Sequence, residues 1–243
     1  MNTLYDHAGH RNLMFHELCS GEMIQANQHL IVHGKEAMLL DPGGHKVFSR
    51  LLAESSGAMA PASLRYLFFS HQDPDIVAAA NGWLMATDAA ALAPSLWMRF
   101  IPHFGIDDYA VKRMTGIPDD GMTVELGGQP IEIIPAHFLH SPGNYHVYDP
   151  VAKILYSGDI GASVGMDYTE VTDFEAHRRY TEGFHRRYMA SNRALREWVG
   201  RIRTLDVEIL APQHGALYRG KPMVAQFLAW AEQLACGVDL IPG

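Results

Sequence analysis

Cysteine is nearly absent from this chain: Cys19 and Cys236 are the only two among 243 residues. Two thiols near opposite ends cannot build a disulfide framework or a thiolate cluster, so free thiols are expected at both. Long apolar runs are missing too. No stretch reaches the roughly 18 residues that a membrane-crossing helix requires. The opening MNTLYDHAGHRNLMF has no apolar core behind a basic start, so no secretory signal is expected. Net positive charge is also lacking, since 19 Lys plus Arg against 27 Asp plus Glu leave a formal charge of −8. Such a chain has no overall attraction to nucleic acid or anionic membrane, and a cytoplasmic location is expected. No low-complexity run or charge block divides the sequence.

Histidine is what the chain has in excess, with 14 residues. Their placement follows the pattern of elements. Apolar runs over 29–33 and 37–40 read as a hairpin, and Asp41-Pro42-Gly43-Gly44 forces a turn after it. Residues 46–55 carry apolar positions at helical intervals, and 64–69 is a bulky run that reads as a buried strand. A helix is expected over 76–87, with Asp73 or Asp75 as its cap and Pro74 in its first turn. A short strand follows near 91–93, and a helix begins at Ser95. Strands are expected at 122–126, 131–135, 145–148 and 153–156, a long polar helical stretch at 169–204, a strand at 207–210 and a helix at 223–234. Strands then helices, twice over, predict an α/β fold: a four-layered αβ/βα sandwich, two mixed sheets packed face to face with helices outside.

Metal-ligand residue types recur where these strands end. His71, Asp73 and Asp75 follow the run ending at Phe69, His140 follows the run ending at Pro135, Asp159 follows Ser157-Gly158, and His214 follows Pro212-Gln213. Loops at strand ends are where folds of this class gather functional side chains. Three imidazoles and three carboxylates suit a pair of divalent first-row metals, with one carboxylate bridging both. Each residue alone has a plainer reading, as a turn residue, a helix cap or a satisfied polar group. Their joint occurrence at four strand ends favours ligation. The paired segments 177–180 and 185–188, each His-Arg-Arg-Tyr, lie eight residues apart, a net offset of roughly 80° on a helix. They read as a solvated, partly basic face.

The order His-x-Asp-x-Asp, His-Ser-Pro-Gly, Ser-Gly-Asp and Pro-Gln-His-Gly resembles the metallo-β-lactamase superfamily. Asn27-Gln28-His29-Leu30-Ile31-Val32 and Leu39-Leu40-Asp41-Pro42-Gly43 are similar to that family's opening hairpin. The resemblance covers roughly residues 25–220 and implies one metallo-β-lactamase-like domain over 1–243. Hydrolytic members carry His-x-His-x-Asp-His in the first motif. Here Asp73 stands at the second His position and Ile76 at the last. A carboxylate in that place resembles the diiron branch, the flavodiiron oxygen and nitric oxide reductases and the oxygen-binding diiron proteins. An anionic oxygen ligand in place of imidazole hardens the site and supports ferric iron.

The resemblance implies two non-haem iron ions, the first held by His71, Asp73 and His140, the second by Asp75 and His214, with Asp159 bridging. Ile76 cannot ligate, so an open position for dioxygen is expected beside it. His140 is preferred to His137 because it immediately precedes Ser-Pro-Gly. His45, His103 and His146 are expected to be surface residues, or groups that orient ligands. Tyr168 and the segment 180–188 lie where relatives cover the metal pocket. Flavodiiron enzymes carry a flavodoxin domain, and no FMN site is expected in this chain. The expected function is therefore binding of dioxygen, for sensing or for reduction. As an enzyme the protein would be an oxidoreductase acting on O2 or NO, with an external donor such as rubredoxin or a flavoprotein. The alternative is a zinc-dependent hydrolase of the same superfamily, against which Asp73 and Ile76 argue. Relatives also imply a homodimer, through the helical segment 178–198.

Overall fold

The computed structural model describes residues 1–242 and divides the chain into two compact units, one of residues 1–133 and one that begins at Ile134. Two mixed sheets, one of seven and one of six strands, account for the named strands, so the expected α/β class is observed.

The first unit opens with β1 (Asn2–His7) and β2 (His10–Phe15), a hairpin that the sequence reading did not anticipate. Its turn, Ala8-Gly9, has both residues at positive φ, as a tight hairpin turn requires. The anticipated hairpin follows as β3 (Gln28–His33) and β4 (Glu36–Leu40). Helix α1 (His45–Ser56) then leads to β5 (Leu64–Phe68), which pairs parallel to β4 with Leu40 opposite Phe68.

The helix expected over 76–87 is broken into α2 (Pro74–Val77) and α3 (Ala80–Ala86). The cause is tertiary: the Ala79 N–H turns to the carbonyl of Gly43 at 3.3 Å, away from its own helix. Next come β6 (Ala90–Pro94), a single 3-10 turn at Ser95 where a helix was expected, α4 (Asp108–Val111) and the unanticipated β7 (Met114–Ile117). The hairpin of β8 (Met122–Leu126) and β9 (Gln129–Pro135) reaches the unit boundary. The core of this unit lies between α1, α3 and the seven-stranded sheet, and Leu30, Leu39, Leu67, Phe69, Ile76 and Trp83 are buried in it.

The second unit carries β10 (Tyr145–Asp149) antiparallel to β11 (Ile154–Tyr156). The polar stretch 169–204 is two helices, α5 (Phe174–Tyr188) and α6 (Asn192–Ile202), separated at 189–191. Asp173 and Ser191 cap them, each accepting a bond from the backbone N–H three residues on. β12 (Ile209–Ala211) pairs parallel to β11, β13 (Tyr218–Arg219) pairs with β12, and α7 (Lys221–Gln233) completes the regular helices. The apolar faces of α6 and α7 close this unit's core around Leu195, Trp198, Leu210, Tyr218 and Phe227. Both cysteines are free, as expected. Among the described residues no helix is long and apolar enough to cross a membrane.

Candidate metal centre

In the first unit the ligand-type residues sit where β4 and β5 end side by side. Asp41, at φ 46°, leaves β4, and its N–H bonds to Phe68 O at 2.9 Å. Its carboxylate takes the Ser70 N–H at 2.8 Å, which ties the end of β5 to the end of β4. Ser70 Oγ lies 3.0 Å from Nδ1 of the buried His71. That bond leaves Nε2 as the outward nitrogen, and Nε2 is 3.6 Å from Oδ2 of Asp73. Holding one imidazole nitrogen while the other faces a carboxylate is how proteins orient a histidine ligand.

Asp73 occupies the N-cap position of α2, but its side chain makes no capping bond. Oδ1 takes the Gln72 amide at 2.9 Å while Oδ2 faces His71. The plain reading of Asp73 as a helix cap is thus not what its side chain does. Pro74 fills the first turn as expected, and Asp75 is a half-buried acid within that turn. Ile76 is fully buried within the core of this unit.

In the second unit three expected residues meet. Asp159 follows β11, His214 follows β12, and the parallel pairing of those strands carries both to one place. The Ser157 N–H bonds to Ala211 O at 3.1 Å and the Gln213 N–H to Gly158 O at 2.7 Å, continuing the ladder into the two loops. Asp159 Oδ2 is 3.2 Å from His140 Nε2, and Oδ1 is 3.5 Å from His214 Nε2. One carboxylate therefore turns a different oxygen to each of two imidazoles, and its side chain and that of His214 are each only 6% exposed. Nitrogen and oxygen atoms at these separations fit around a cation that each approaches to roughly 2.1 Å. Two imidazoles and a carboxylate here, and separately an imidazole and two carboxylates in the first unit, are donor types that first-row metals such as iron accept.

The loop carrying His214 depends on Gly215, at φ +83°, where a Cβ would collide with the backbone and hydroxyl of Ser163. Ser163 in turn takes the Ala216 N–H on its Oγ at 3.1 Å and gives its own N–H to His214 O at 3.2 Å. His137 packs edge-on against Tyr145, and the ring of Tyr188 stands edge-on to His140 at 5.6 Å.

Three histidines differ from expectation. His146 is not a surface residue: it is fully buried, and its Nδ1 accepts the Trp198 indole N–H at 3.1 Å. His45 and His103 are exposed, as expected of surface residues. His177 and His185 are also fully buried, so the arginines and the exposed Tyr188, not the histidines, form the solvated face of the repeated His-Arg-Arg-Tyr. The roughly 80° offset that suggested one common face was correct, but the histidines turn that face inward. Burial lowers both imidazoles from 6.5 to about 4; at His185 the Thr181 carbonyl and the Asp159 charge oppose part of the fall. Tyr168 donates toward His177 Nδ1 at 2.9 Å and packs edge-on to Tyr180. Asp41, Ser70, His177 and His185 were not foreseen as site residues. Only the position of Asp41, at a strand end beside a Pro-Gly turn, was a usable signal.

The model of the ODP-family β-lactamases matches residues 24–215, through both units and all six ligand-type positions. The chain belongs to that family. A solved structure described as the peroxy diiron species of the chemotaxis sensor ODP is 43% identical to it, covers 98% of this chain and 97% of its own, and superimposes with a TM-score of 0.89. The apo state of the chemotaxis sensor ODP from T. denticola is 41% identical over 98% of this chain, with a TM-score of 0.86. Rubredoxin oxygen:oxidoreductase from Desulfovibrio gigas is 16% identical, covers 96% of this chain with a TM-score of 0.81, and supports the fold alone. Among curated proteins, one named as a diflavin flavoprotein (A 2) of Nostoc sp. is 26% identical over 84% of this chain. The chain spans about a third of the length of the curated relatives it matches (36% of that protein).

Proposed function

We propose that this protein is a non-haem diiron protein that binds dioxygen, with His71, Asp73 and His140 on one iron, Asp75 and His214 on the other, and Asp159 bridging. The observation that carries this reading is the 43% identity, over nearly the whole of both chains, to a sensor solved as a peroxy diiron species. The family-model match through residues 24–215 supports treating the two units as one metallo-β-lactamase-like domain. An iron pair supplies reversible one-electron steps and open coordination for a small ligand. This chain's residues supply the rest. Ser70 fixes the His71 ring, Asp159 aligns the His140 and His214 rings, and Asp73 contributes the anionic oxygen that favours the ferric state. Ile76, which offers no donor atom, leaves the second iron one protein ligand short.

An external electron donor of the rubredoxin or flavoprotein type belongs to the same proposal, in keeping with the curated relative named as a diflavin flavoprotein. The free cysteines fit a reducing, cytoplasmic location. The test is elemental analysis of protein purified without added metal, followed by anaerobic reduction and exposure to O2. About two irons per chain and a visible absorption change with O2 are expected. Two zincs, with no spectral response to O2 after iron reconstitution, would overturn the reading in favour of hydrolysis. For the open position, Ile76→His is expected to slow or abolish O2 binding. Unchanged O2 binding by the folded variant counts against it.

A further inference from the structure

The turn after Asp159 is held by side chains. The Ile160 and Ala162 N–H groups bond back to the carbonyls of Ser157 and Asp159, but both polar groups of Gly161 go elsewhere. Its N–H donates to His185 Nε2 at 2.9 Å, and its carbonyl accepts from the Tyr218 hydroxyl at 3.0 Å. Gly161 has φ +91°, and a Cβ there would press on Leu210 and Tyr218, so no side chain could anchor this residue directly.

Donor and acceptor roles follow by necessity. A peptide N–H only donates, so His185 presents Nε2 as an acceptor and carries its proton on Nδ1, which gives it to Thr181 O at 2.8 Å. Tyr218 gives its one proton to Gly161, so at 3.2 Å it accepts from His177 Nε2–H. His177 Nδ1 is then the acceptor for the Tyr168 hydroxyl at 2.9 Å. Both imidazoles must be neutral for this, as their burial requires. The chain of bonds from Tyr168 thus points one way and ends on a backbone carbonyl. A carbonyl cannot pass a proton on, so the arrangement is no proton conduit, and what remains is mechanical restraint.

We propose that His185 and Tyr218 are positioning residues for Asp159: by gripping both polar groups of Gly161 they set the direction in which the Asp159 carboxylate meets His140 and His214. The inference rests on the metal-binding reading above. Glycine has the widest backbone freedom of any residue, and Asp159 lies two residues upstream, so loosening Gly161 loosens the carboxylate.

The test is anaerobic Fe(II) titration of metal-free protein, with amide hydrogen exchange at Gly161 read on the same samples. His185→Leu removes the acceptor and is expected to weaken Fe(II) binding about tenfold, the lower end for residues that support a ligand, and to speed exchange at Gly161. His185→Gln keeps an acceptor near the place of Nε2 and is expected to stay within about twofold of wild type, a rescue that a purely structural role would not produce. Should His185→Leu fail to fold, Tyr218→Phe carries the comparison, with an expected weakening of about threefold or more. Unchanged affinity in folded His185→Leu or in Tyr218→Phe overturns the proposal, as does equal weakening by Leu and Gln. Wild-type protein that binds no iron overturns the metal reading and this inference with it. Wild-type binding with indifferent variants overturns this inference alone.

Discussion

Lowering the pH from 8 to 5 is expected to destabilise the metal-free protein through His177 and His185. Both are fully buried, and burial holds each at about 4, below the 6.5 of an exposed imidazole. In the unfolded chain each takes up a proton as the pH passes 6.5, whereas the folded chain resists until about 4. Their contribution is therefore complete above 6.5 and falls away as the pH drops toward 4. Each group costs about 2 kcal/mol by pH 5 and about 3 kcal/mol once both states are protonated. Against a total stability of roughly 5–15 kcal/mol, the two together remove a large share. The assay is equilibrium urea unfolding at pH 8 and pH 5 with chelator present, on wild type and on His177→Gln. Other titrating groups are common to both proteins and cancel in the difference of differences. The variant is expected to lose about 2 kcal/mol less than wild type over this range. Equal losses in the two proteins would refute the argument, because His177 would then carry no proton difference between the folded and unfolded states.

Asp159→Asn keeps the shape of the bridging side chain but removes its charge, and is expected to lower bound iron from about two per chain to one or none; retention of two, by elemental analysis, would contradict the bridging role. Gly215→Ala forces a methyl group into Ser163 at a positive φ, which is expected to cost about 2 kcal/mol or more and to lower Tm by roughly 4–8 °C. An unchanged Tm by calorimetry refutes that steric reading. Trp198→Phe removes the donor to the buried His146 and is expected to cost about 1–3 kcal/mol in urea unfolding. A loss below the error of the measurement would mean that the bond contributes nothing net.

The six ligand-type positions were legible in the sequence because their signals are local. Each is an acid or imidazole within a few residues of the end of an apolar run, four of them beside Pro or Gly (Asp73 and Asp75 flank Pro74, Asp159 follows Gly158, His214 precedes Gly215), and turn chemistry acts within a few residues. The β3–β4 hairpin, α1, the first turn at Pro74 and the strands from β8 to β11 were legible for the same reason. Short elements that exist only through a distant partner were not. β7 is a strand because it pairs with β6, and β13 has only two residues and depends on β12.

The sequence by itself thus determined which residues are proposed to hold metal, which class of fold presents them at strand ends, and, through Asp73 and Ile76, which branch of that fold family the chain resembles. Tertiary structure alone decided how side chains were directed. The carbonyl of Gly43 breaks the expected helix at Ala79, Asp73 leaves its cap to face His71, and α5 turns His177 and His185 inward. Periodicity identifies residues that share a face but not which face is buried, and histidine is polar enough for water yet neutral enough for a core. Only packing against the rest of the second unit chose between them.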